Sequence, residues 1–185
     1  MMKSNQMEII NTRFEGVYLI KAFFHEDMRG SFFKLIDKTI FLEKKLDYTF
    51  KECFYSSSRK DVIRGMHFQI PPYEHTKLVY VLSGAIHDVI LDIRKNSPTY
   101  GEHDSFKIES GNRTLLYVPN GFAHGFKALE DNTTVIYFTN LPHSKEHDAG
   151  IRYDSFGFEW NIKNPIISER DQDFTTFKEF KSPFE

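Results

Sequence analysis

Leu78-Val79-Tyr80-Val81-Leu82, then Ser83-Gly84, then Ala85-Ile86-His87-Asp88-Val89-Ile90-Leu91-Asp92-Ile93 is the stretch that decides how this 185-residue chain folds. Both runs are rich in β-branched and aromatic residues, and Ile86, Asp88, Ile90 and Asp92 share one face of an extended strand. Similar runs recur on either side: Gly16–Phe24, Ser31–Leu35, Ser105–Ile108, Thr114–Val118, Gly125–Leu129 and Thr133–Thr139. Gly, Pro, Asn and Asp clusters separate them, as at Asn96-Ser97-Pro98, Ser110-Gly111-Asn112 and Asp131-Asn132. Short strands at such spacing read as a sandwich or barrel. Helical pattern is sparse: Lys38–Leu46 suits one amphipathic helix, and Asp171–Phe180 a second short one. The pattern predicts one all-β domain over residues 1–185, a jelly-roll sandwich with short peripheral helices. Periodicity alone does not separate a jelly roll from another sandwich.

Composition narrows the function classes. Hydrophobic residues make up 40% of the chain and charged residues 27%, enough to bury one sizeable core. Aromatics reach 16%, with 19 Phe and 9 Tyr, side chains that favour strands and fill sandwich interiors. Lys and Arg number 24 against 26 Asp and Glu, so no broad basic surface for nucleic acid is expected. Cys53 is the lone cysteine, which excludes a disulfide scaffold and points to a reducing compartment. No apolar run approaches the roughly 20 residues of a membrane helix. A soluble, cytoplasmic protein is the expectation.

Four segments could carry chemistry. Arg64-Gly65-Met66-His67-Phe68-Gln69 with Lys77 supplies two cations and a titratable imidazole within fourteen residues, unless it is only a solvated surface loop. Pro119–Phe126 reads as a tight turn delivering His124 to a strand start, or as a core histidine satisfied by the backbone. Asp88 and Asp92 lie inside apolar runs, where a carboxylate is costly unless paired. Asp92 has Arg94 on its own side as an exposed partner, which leaves Asp88 as the candidate inward carboxylate. Ser168-Glu169-Arg170-Asp171 offers a further acid or simply a helix N-terminus.

At these residues the sequence resembles the dTDP-4-dehydrorhamnose 3,5-epimerase family, nucleotide-sugar epimerases of the cupin fold. The ordered series that carries it is Asp27-Met28-Arg29-Gly30, Arg64–Gln69, Lys77-Leu78-Val79, Asp88-Val89 and Asp92-Ile93-Arg94 with Ser97-Pro98-Thr99. It continues through Gly121–Phe126, Gly150-Ile151 and Ser168–Asp171. The resemblance implies an isomerase of deoxysugar and polysaccharide biosynthesis that inverts C3, C5 or both of a nucleotide-linked 4-keto-6-deoxy sugar through an enolate. It implies His67 as base, Asp171 as its orienting carboxylate with Asp88 nearby, and Lys77 at the enolate oxygen. His124 is implied as a second pocket histidine, and Arg29 and Arg64 as cations for the diphosphate. It further implies a homodimer built through exchanged or paired strands. No metal or cofactor is expected: His67 is followed by Phe68-Gln69 rather than by a second ligand, and no dinucleotide fingerprint occurs.

Departures from the family pattern cluster in two places. An ungapped reading puts His143 where the family carries its acidic tyrosine, with Tyr137 at that segment's other tyrosine. His143 then donates the proton itself, or water or another side chain does and restricts inversion to one carbon, or epimerisation is lost; alternatively His143 lies in an exposed loop. Glu52 and Phe54 replace a Gln-x-Asn pattern, and Glu52 is expected at a sugar hydroxyl or a different base rather than at phosphate. These changes open a CDP- or GDP-linked 4-keto sugar or heptose as substrate. They also keep in play a non-catalytic sugar-nucleotide-binding cupin, a ketoisomerase and, least favoured, a metal-dependent oxygenase.

Overall fold

The two runs quoted first become adjacent strands of different sheets. A computed structural model describes residues 3–185. Its strands are β1 (Lys3–Asn5), β2 (Glu8–Asn11), β3 (Tyr18–Lys21), β4 (Phe23–Asp27), β5 (Gly30–Lys34), β6 (Glu52–Ser58) and β7 (Ile63–Gln69). They continue with β8 (Lys77–Ser83), β9 (Ala85–Asp92), β10 (His103–Glu109), β11 (Thr114–Val118), β12 (Phe122–Ala128), β13 (Thr133–Thr139) and β14 (Asp148–Gly150). The helices are α1 (Lys38–Glu43) and α2 (Glu169–Gln172). A six-stranded sheet in the order β2-β3-β11-β8-β13-β6 faces a five-stranded sheet in the order β10-β9-β12-β7-β14, and β1-β4-β5 form a small third sheet. The two large antiparallel sheets make a jelly-roll sandwich of the cupin type. No helix among the described residues is long and apolar enough to cross a membrane.

Alternation explains why the central strands read as continuous apolar runs: both of their faces are covered. Val79 and Val81 of β8 meet Ile86 and Ile90 of β9 in the core between the sheets. Leu78 and Tyr80 point the other way, onto Phe41 of α1 and Leu46. Val89 and Leu91 point outward beneath Phe156, Trp160 and Phe184 of the C-terminal segment. Asp37 starts α1 by accepting from the backbone of Thr39 and Ile40. Fully burying Phe41, which is 0% exposed, is worth about 1.5–3 kcal/mol and pins this short helix to the sheet.

Several expectations need correction. The run Gly16–Phe24 splits into β3 and β4, which belong to different sheets. The helix expected over Asp171–Phe180 is the four-residue α2, which begins earlier and ends at Gln172. The turn expected to deliver His124 to a strand start ends sooner, because β12 already begins at Phe122. Asp92 does pair with Arg94, at 2.7 Å, but the pair is not exposed, since Asp92 is fully buried. Burial opposes its charge, yet bonds from Arg94, Thr99 and Ser97 outweigh it and hold the carboxyl below its ordinary range.

Candidate active site

Residues three apart on a regular strand point to opposite faces, so Arg64 and His67 should not meet the same cavity. A β-bulge brings them together. Across the β7–β12 ladder His124 faces His67 and Phe126 faces Arg64, so two steps on β12 span three on β7. The extra residue sits at Gly65-Met66. Gly65 has φ +139, and a Cβ there would stand 2.5 Å from the Cα of Gly125. Met66 turns outward into the core beneath the C-terminal segment, while Arg64 and His67 both line a cavity of about 330 Å³ between the sheets.

Register fixes the rest of the interior. Glu52, Thr139 and Lys77 form one row across β6, β13 and β8, and Phe54, Tyr137 and Val79 form the next. On the opposing sheet, His67, His124 and Ile90 form a row across β7, β12 and β9. Lys77, Tyr137 and Phe54 therefore enter the cavity from one sheet, and His67, His124 and Arg64 from the other.

His67 Nε2 lies 2.8 Å from Asp171 Oδ1, while Gly65 N donates to Asp171 Oδ2 at 3.1 Å. Ser168 caps α2 by accepting from the backbone N–H of Asp171, which sets the carboxylate behind the imidazole. Burial works against the Asp171 charge, but the bonds from His67, Gly65 and Ser168 hold its carboxyl below the ordinary range. An anionic carboxylate takes the N–H of Nε2 and leaves the imidazole lone pair on Nδ1. Burial lowers the affinity of His67 for a second proton and outweighs the opposing pull of Asp171, with Lys77 and Arg170 adding to it.

Lys77 Nζ donates to the His67 carbonyl at 3.0 Å. Burial brings the Lys77 ammonium down to about 8, against the attraction of Asp148 and Asp88. Tyr137 is buried, stacks on Phe54 at 5.0 Å and stands edge-on to His124; burial pushes its phenol up. His124 Nε2 lies 2.9 Å from Asp88 Oδ2, and burial pushes the Asp88 carboxyl up despite that partner. Arg64 donates to Ser58 Oγ and to the Ser57 carbonyl. Arg170 pairs with Asp148 at 2.6 Å along another part of the lining.

Eight of the ten expected site residues converge, or back those that do. His67, Lys77, His124, Arg64, Tyr137 and His143 line the cavity, and Asp171 and Asp88 stand behind the two histidines. Glu52 lies just beyond, accepting from the backbone N–H of His143 at 3.0 Å and lining an adjoining chamber of about 250 Å³. Arg29 does not converge. Its side chain is 84% exposed at the tip of the β4–β5 hairpin, where it pairs with Asp27. Sequence reasoning did not single out His75, Thr139 or Phe174, the last standing edge-on to His67. A second histidine close to Arg64–Gln69 was a signal for His75; nothing local marks Thr139 or Phe174.

A jelly roll with paired imidazoles and a lysine between its sheets is a cupin-type enzyme site. A family model described as dTDP-4-dehydrorhamnose 3,5-epimerase matches residues 11–179. The curated dTDP-4-dehydrorhamnose 3,5-epimerase of Shigella flexneri is 36% identical over 170 residues, covering 89% of this chain and 93% of its own. The crystal structure of the Bacillus anthracis enzyme with TDP and PPi bound superposes with a TM-score of 0.89 at 34% identity, covering 92% of this chain and 99% of that one. The Legionella pneumophila enzyme in complex with dTDP-4-keto-L-rhamnose superposes with a TM-score of 0.89 at 28% identity, covering 95% of each chain. The chain belongs to the dTDP-4-dehydrorhamnose 3,5-epimerase family, and as an epimerase it is an isomerase.

Proposed function

We propose that this enzyme inverts C3, C5 or both of a dTDP-linked 4-keto-6-deoxy hexose, with His67 as the carbon base. The observation that carries this reading is the His67–Asp171 pair facing a cavity whose opposite wall supplies Lys77 and Tyr137. The ketone at C4 acidifies the hydrogens on C3 and C5. His67 Nδ1 takes one of them, and Asp171 steadies the imidazolium that forms. The electrons move onto the carbonyl oxygen as an enolate, which the Lys77 ammonium stabilises. Return of a proton from the face opposite His67 inverts the centre.

We assign that return to Tyr137 rather than His143. Tyr137 projects from the sheet facing His67, and its burial keeps the phenol protonated. His143 is exposed at the rim, its backbone tethered to Glu52. Arg64 and Arg170 provide positive charge for the diphosphate. The TDP-bound and dTDP-sugar-bound relatives support the nucleotide. Exposed Met28 and Phe32 on the Arg29 hairpin support a homodimer, in which Arg29 serves outside its own cavity. The enzyme acts in the cytoplasm, where nucleotide sugars are made.

Product stereochemistry tests this. The purified protein is incubated with dTDP-, CDP- and GDP-linked 4-keto-6-deoxy hexoses, and the sugars are resolved by NMR. Inversion with the dTDP sugar is expected; inversion only with CDP or GDP sugars replaces the nucleotide, and binding without inversion replaces the enzyme by a sugar-nucleotide-binding protein.

A further inference from the structure

A pair of unpaired buried polar groups sits beside the cavity. His75 Nε2 and Thr139 Oγ1 are both buried and without a hydrogen-bond partner among the described residues, and both residues line the chamber that adjoins the main cavity through Phe54, His75 and His143. Thr139 is 1% exposed. Buried groups of this kind are costly to leave unmet, so a ligand that pairs with them gains more than a surface bond gives.

The proton on His75 can be placed by following hydrogen bonds. The backbone N–H of Ser144 must donate, so the Gln69 atom 2.6 Å away is its oxygen. The Gln69 amide nitrogen then donates to the Tyr73 carbonyl and to His75 Nδ1 at 2.9 Å. His75 Nδ1 is an acceptor, and Nε2 carries the hydrogen. Burial, with Lys77 and His143 nearby, holds the His75 imidazole down at about 3, so the donor is neutral.

Glu52, on the same chamber wall, argues against phosphate as occupant. A methyl group would leave both buried atoms unpaired. A hydroxyl suits them: its oxygen accepts from His75 Nε2, and Thr139 takes either role. Thr139 lies directly beside Lys77 in the row across β13 and β8. With the ketone oxygen at Lys77, the neighbouring group is one on a carbon next to C4. In a 4-keto-6-deoxy hexose, C3 bears a hydroxyl and C5 bears a methyl.

We propose that His75 and Thr139 form a neutral subsite for the C3 hydroxyl, selecting sugars that carry it and orienting the ring so that its C4 oxygen meets Lys77. This rests on the epimerase reading, and binding tests it separately from turnover. Affinities are measured by calorimetry for the wild type and Thr139→Val, using a dTDP-4-keto-6-deoxy hexose, its 3-deoxy analogue and dTDP alone.

The wild type should prefer the hydroxylated sugar by roughly tenfold, the scale of one buried hydrogen bond. Thr139→Val should lose most of that preference while melting no lower than the wild type, because the hydroxyl it removes has no partner in the free protein. His75→Leu should lose the preference too, and His75→Gln, which keeps a donor and an acceptor, should restore part of it. Equal wild-type affinity for the two sugars, or no binding of either, overturns the subsite. Weaker dTDP binding by Thr139→Val also overturns it, placing nucleotide in the chamber. If the preference holds but the wild type inverts neither carbon, the subsite stands and the epimerase reading fails.

Discussion

Two histidine–carboxylate pairs stand side by side on neighbouring strands, His67 with Asp171 and His124 with Asp88, and the two histidines are direct cross-strand partners. Their distances, 2.8 and 2.9 Å, hardly differ. Their surroundings do. Asp171 comes from a helix on another segment, takes a second bond from Gly65, and backs an imidazole that is 28% exposed to the cavity. Asp88 comes from within the sheet, is 0% exposed, and backs a histidine that is 4% exposed. The first carboxyl is held below its ordinary range and the second is pushed above it. An anchored anion beside a half-open imidazole suits the base we propose, whereas a fully buried carboxyl beside a histidine that shows only its edge to the cavity suits a structural role.

The largest expected effect is on the open pair. His67→Asn should lower turnover by roughly 10³–10⁴-fold, the upper part of the range for a general base, with an unchanged melting curve; turnover within tenfold of wild type breaks the assignment. Asp171→Asn should cost about 10²–10³-fold, since the tautomer is no longer set by an anion. The sealed pair should answer in stability instead. Asp88→Ala strands His124 and should cost about 3 kcal/mol, with turnover per folded molecule within about tenfold by active-site titration. A loss matching that of Asp171→Asn would erase the distinction between the pairs.

The pH profile sharpens the comparison. The proposed mechanism requires a neutral His67 and a charged Lys77. The rate should therefore rise through a midpoint below the ordinary histidine value of 6.5 and fall near 8. Lys77→Arg should push the alkaline limb upward at reduced turnover; an unmoved limb assigns it to another group. Smallest of all, His143→Phe should change turnover by less than about fivefold, since general acid catalysis worth 10²–10⁴ is assigned elsewhere.

The sealed carboxylate was easier to read from sequence than the open site. Asp88 inside an apolar run announces a buried charge in need of a partner. Thr114–Val118 and Thr133–Thr139 carry enough β-branched and aromatic residues to mark their own ends, and the structure places both strands there. β7 escaped because its bulge and its inward Arg64, His67 and Gln69 break the alternation that reveals a strand. Asp171 is legible only as a helix start until the C-terminal segment folds back over the sheet, a long-range contact with no local sequence signature. Arg29 had the right chemistry, but it stands exposed at a hairpin tip and is not among the residues lining the cavity.

In the proposed reaction two opposed sheets hold a base and an acid on opposite faces of one carbon. Proton NMR in deuterium oxide of a dTDP-linked 4-keto-6-deoxy hexose, run with wild type and with Tyr137→Phe, tests it directly. The account predicts loss of the C3 or C5 proton signal with both proteins, and the inverted sugar only with wild type. Inversion by Tyr137→Phe at the wild-type rate, or no loss of either signal with wild type, would contradict it.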